Sequence, residues 1–136
     1  PVRVGVGPWL FPELLDRLEK VPRISEYVRE KRRAVISENE TRNLTGELAI
    51  FGRQLTNVGI FRAYTEAYLR EQPMIHTDLR LIVRQLQPEP MGLPLEVLCF
   101  VKSAEGPIFE AVQSDIFDHL ISVLPNFELS INQARS

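Results

Sequence analysis

Residues 77–103 constrain the fold more than any other stretch, because they read as two arms of a hairpin that specify each other. In the first arm, residues 78–86, Leu79, Leu81 and Val83 fall on one side and Arg80, Ile82 and Arg84 on the other. The second arm, residues 95–102, is rich in residues that suit a pleated surface. Between them, residues 87–94 hold three prolines and a glycine, which disfavour continuation of either strand. Folding about Pro90 sets Asp78 against Lys102, Leu81 against Cys99, Ile82 against Leu98 and Arg84 against Glu96. Such cross-strand pairs contribute about 0.2–1 kcal/mol each, and a slip by one residue would flip a whole arm.

The rest of the chain supplies helices for this hairpin to hold. Val2, Val4 and Val6 alternate with Arg3 and Gly5, which predicts a short, weak strand. Pro12 suits a first helical turn, with Leu14, Leu15, Leu18 and Val21 on one face and Pro22 ending the segment. A second helix is predicted over residues 24–37, with Ile24, Tyr27, Val28, the stem of Lys31, Ala34 and Val35 inward. Residues 39–56 read as a loop. Asn57 is the expected N-cap of a third helix, whose buried face is Val58, Phe61, Thr65, Tyr68 and Leu69, with Pro73 beyond its end. After the hairpin, Phe109, Val112, Ile116, Leu120 and Val123 recur at helical spacing, widened by Ile108, Phe117 and Leu124. Phe127, Leu129 and Ile131 then alternate as a final strand.

Setting aside the extra helical material leaves β-α-β-β-α-β. The expected fold class is α+β, a ferredoxin-like split β-α-β sandwich with an N-terminal helical insertion at residues 22–56. Helices are expected on the hairpin face of Leu79, Leu81, Val83, Val97, Cys99 and Val101. The opposite face mixes Ile82, Leu98 and Phe100 with charges, which suits either solvent or another subunit or domain.

Chemistry is sparse. The 136 residues carry a formal charge of −2 and a pI near 5.8, so no global electrostatic term favours nucleic acid or an anionic membrane. The basic cluster Lys31-Arg32-Arg33 reads as a solvated helix face neutralised by Glu26, Glu30, Glu38 and Glu40. Arg53, Arg62, Tyr64, Tyr68 and Arg70 read as amphipathic packing, not as a nucleic-acid surface. His76 and His119 share no metal-ligand spacing with Cys99, the single cysteine, which is expected inside the core. His119 and Asp115, four apart, read as an exposed hydrogen-bonded pair. No nucleophile elbow or dinucleotide fingerprint occurs. No catalytic residue, cofactor or metal is therefore assigned.

Three ordered blocks, Gly52 to Tyr64, Val83 to Leu86 with Gly92 to Val97, and Gln113 to Leu120, resemble one family closely. It is the cytoplasmic C-terminal region of MscS-like mechanosensitive channels, in the miniconductance (YbdG-type) branch. The resemblance covers about residues 12–136. It implies an inner-membrane channel whose transmembrane helices precede Pro1, so that this chain is a single cytoplasmic domain cut from a longer protein. It further implies a cage built by several copies, typically seven, beneath a pore gated by membrane tension in osmotic adaptation, with no catalytic or metal residues; no nucleic-acid partner is expected from the charge balance. Residues 22–56 look like an insertion relative to the small-conductance members, and the small barrel that closes their cage is not implied here. The candidate contact face is Arg80, Ile82, Arg84, Leu98 and Phe100. The rival expectation is a stand-alone ferredoxin-like regulatory module that binds a small ligand between subunits.

Overall fold

The computed structural model describes residues 2–3, 12–46, 48, 55–90 and 92–131. It is an α+β fold: β1 (Val2–Arg3), α1 (Pro12–Glu19), α2 (Ser25–Thr41), α3 (Asn57–Arg70), β2 (Ile82–Gln85), β3 (Leu95–Leu98), α4 (Gly106–Val123) and β4 (Ser130–Ile131), with a 3-10 turn at Leu124–Phe127. Among the described residues two antiparallel strand pairs form, β1 with β4 and β2 with β3. The expected continuation of the first strand through Val4 and Val6 lies outside the described residues.

The hairpin register is the expected one where the strands are regular: Ile82 faces Leu98, Val83 faces Val97 and Arg84 faces Glu96. Arg84 closes its pair, Nη2 lying 2.7 Å from Glu96 Oε1. Farther from the turn the expectation fails. Ile75 bridges Val101, seven residues back on one arm against three forward on the other, so four residues are excess on the first arm. Residues 77–80 carry that excess, so Asp78 does not face Lys102. Asp78 instead lies 3.5 Å from His76, and Lys102 donates its backbone N–H to Met74. The cause is Ile75, which is fully buried and draws the arm into the core ahead of Leu79. Leu79, expected inward, is 48% exposed.

One apolar cluster joins every layer: Leu14 and Leu18 of α1, Val28 of α2, the α3 face, Leu81 and Val83 of the hairpin, Ile116 and Leu120 of α4, and Phe127 and Leu129 beyond it. Phe61 and Phe127 meet edge to face at 5.3 Å between ring centres, and Tyr64 packs on Phe127 at 5.4 Å. Cys99 and Val101 pack against this cluster from the hairpin, as expected, and burial raises the Cys99 thiol pKa.

Several helix boundaries differ from expectation for identifiable reasons. α2 runs to Thr41 because residues 38–41 contain no glycine or proline, and the backbone turns left-handed only at Asn43 (φ 57°). Arg32 does not face the α2 glutamates. Its guanidinium reaches Asp16 at 2.9 Å and Glu19 at 3.3 Å on α1, so this part of the basic cluster clamps two helices together. The α3 cap is Thr56, whose hydroxyl accepts the Gly59 N–H at 3.0 Å. Asn57 is instead buried one residue inside, and its amide donates to the Phe127 carbonyl at 3.1 Å. At the C-terminal end the 3-10 turn absorbs Phe127, and Glu128 adopts φ 57°, leaving a strand of only Ser130–Ile131 where residues 127–131 were expected.

Candidate functional site

Three features could carry function. The first is a polar cluster on buried aromatics. Helical spacing brings Tyr64 and Tyr68 to one face of α3, and His119 of α4 stacks on the Tyr68 ring at 4.0 Å. Arg23, in the link between α1 and α2, lies over both tyrosine rings and pairs with Glu71. Its Nη1 donates to the Tyr64 hydroxyl at 3.2 Å, and that hydroxyl shares a hydrogen bond of 2.7 Å with His119 Nε2. The expected Asp115–His119 pairing gives way to this one, since Tyr64 offers a buried partner.

Burial, and then the nearby Arg23 charge, lowers the His119 pKa. Burial also raises that of Tyr68, and the Glu71 hydrogen bond raises that of Arg23. These shifts favour a neutral His119, a neutral Tyr68 and a charged Arg23, and the cluster reads as a fastener between α3, α4 and the α1–α2 link. It has a pH signature. The unfolded chain takes up its His119 proton near pH 6.5, whereas the folded one does so only at lower pH. Stability is therefore lost as pH falls from about 7 through 6.5 toward the folded value. Wild type should lose thermal midpoint relative to His119→Gln over that window; parallel curves for the two proteins would exclude this role.

The second feature is the hairpin face expected to contact a neighbour. Alternation in β2 and β3 places Ile82 and Leu98 together on it, both half-buried, with Phe100 46% exposed beyond them. Arg84 and Arg80 are exposed at its margins. Arg84 is held by Glu96, and Arg80 sits in the four-residue excursion, so the five expected residues do not form one continuous strand surface.

The third is a groove, absent from the sequence reading. It encloses about 200 Å³ between α3, the hairpin and α4, lined by Phe61, Val83, Val97, Phe117, Ile121 and Ile131 among others. Among the described lining residues the one side-chain hydroxyl, Thr65, is spent on the Phe61 carbonyl at 2.9 Å. The lining thus has few means to orient a polar metabolite. Sequence signals for it existed in Phe117 and Ile121, which widen the α4 stripe beyond what one core face needs; they are 50% and 48% exposed.

Among the described residues no group of three or more His, Cys, Asp or Glu side chains could hold a metal ion. None of their helices is long and apolar enough to cross a membrane. No family model matches the chain, and no solved structure matches it.

Proposed function

We propose that the chain is the cytoplasmic cage domain of a membrane-tension-gated ion channel of the MscS-like kind, set in a bacterial inner membrane and serving osmotic adaptation. It acts by assembly and not by catalysis, and its partners are further copies of itself, in a ring of about seven on the family resemblance. The observation that carries this is spatial. The described parts of the three resembling blocks converge on one groove, through Phe61 from the first, Val83, Leu95 and Val97 from the second, and Phe117 and Leu120 from the third. Residues brought together in this way, with little polar chemistry among them, suit a shared packing unit with a surface to be covered.

The finer fold reading belongs to the same proposal. A ferredoxin-like sheet would place β1 beside β4 and β2 beside β3, as the two antiparallel pairs among the described residues do, and would join them through a β1–β3 pairing that is not among the pairs formed.

The test is Leu98→Glu. A carboxylate at the centre of the half-open hairpin face should abolish oligomers of the full-length gene product, read by native mass or sedimentation. The domain itself should keep its far-ultraviolet circular dichroism, because Leu98 points away from the helices. Unchanged assembly would remove this face from the interface.

A further inference from the structure

The open hairpin face and the groove lie on opposite sides of the β2–β3 layer. Val83, Leu95 and Val97 line the groove from one side, and alternation sends Ile82, Leu98 and Phe100 to the other. Each surface has what the other lacks. The hairpin side presents an exposed aromatic ring, Phe100, with Lys102 two residues along the same arm and Arg80 on the neighbouring excursion, both exposed. The groove side presents an apolar hollow of about 200 Å³. An apolar cavity of about 150 Å³ is enough to hold a benzene ring.

The charges match as well. Within α4 there is no lysine or arginine, whereas Glu110, Asp115 and Asp118 are present and exposed. Glu110, Ser114, Phe117 and Ile121 follow one another at i, i+4, i+7 and i+11, so a carboxylate heads the same line that forms the groove wall, with Asp118 beside it.

We infer that these two surfaces meet between copies: Phe100 of one copy seats in the groove of the next, against Phe117 and Ile121, while Lys102 and Arg80 face Glu110 and Asp118. The inference rests on the assembly reading above and names its contact. Because the two patches differ, the contact is head-to-tail, the kind that closes into rings instead of stopping at a dimer. A second copy brings the Phe100 ring and the Lys102 cation together on one strand arm, with Arg80 on the excursion beside it.

The test is disulfide trapping in the full-length gene product, in membranes, with Cys99→Ala to remove the native thiol. Lys102→Cys and Asp118→Cys in one chain, which keep the Phe100 ring and the groove wall, should give, on mild oxidation, a ladder running past the dimer. Either substitution alone should lose the ladder. As an independent measurement, Lys102→Glu should raise the concentration for half-assembly at least tenfold, and adding Asp118→Lys should restore it.

A double variant that stops at the dimer, single variants that cross-link equally well, or a charge exchange that fails to restore assembly would each overturn the inference. So would the absence of cross-links in a protein that is oligomeric by native mass, which would leave the proposed function standing and point to a different occupant for the groove. A wild-type protein that is monomeric in membranes would overturn both.

Discussion

Phe127→Ala is expected to lower the unfolding free energy by about 3–5 kcal/mol, the range for deleting a buried aromatic side chain. Phe127 is 2% exposed and touches the rings of both Phe61 and Tyr64. Its neighbours cannot easily collapse into the space. Its own carbonyl is held by the Asn57 amide, and the turn beyond it is fixed by the left-handed Glu128. Domains of this size have about 5–15 kcal/mol in total, so the loss is at least a fifth of the stability. Chemical denaturation followed by circular dichroism measures the change. A loss below about 1 kcal/mol would show that the aromatic cluster is not the centre of the core.

Leu18→Ala is expected to cost about 2–5 kcal/mol, and its informative outcome is the shape of the transition. Leu18 is 1% exposed, and it shares one cluster with Ile24, Val28 and the α3 face. Arg23 adds polar links from the same region to Tyr64 and Glu71. If residues 12–41 belong to the same cooperative unit as the hairpin, the variant shifts a single transition without splitting it. Two resolved transitions would make α1 and α2 a separately folding attachment.

What the sequence made legible follows from the range of the forces involved. The β2–β3 register could be read because Ile82–Leu98 and Arg84–Glu96 are cross-strand pairs within a few residues of the turn. The excursion at residues 77–80 could not, because Asp78, Leu79 and Arg80 continue the alternation without a break. Only the burial of Ile75, a tertiary fact, decides where the arm leaves register. Thr56 and Asn57 are both good caps by type. The choice between them was made by the Phe127 carbonyl, 70 residues away, which claims the Asn57 amide.

The candidate site divides in the same way. The half-buried Ile82–Leu98 pair was visible from alternation alone. The Tyr64–His119 hydrogen bond spans 55 residues and the groove needs three elements to exist, so neither leaves a local pattern. His119 beside Asp115 was the best local partner available, and a distant hydroxyl displaced it.

The bond from Asn57 to the Phe127 carbonyl also sets an order on how the chain can acquire its structure. The α3 face is synthesised first, and the ring that fills the space between Phe61 and Tyr64 follows about 70 residues later. At about 5–20 residues per second, the ribosome leaves that face without its partner for about 4–14 s. During this interval Phe61, Tyr64 and Leu69 form an apolar surface that a chaperone could hold. Burial of the aromatic cluster therefore waits on translation through α4 as much as on any local propensity to fold.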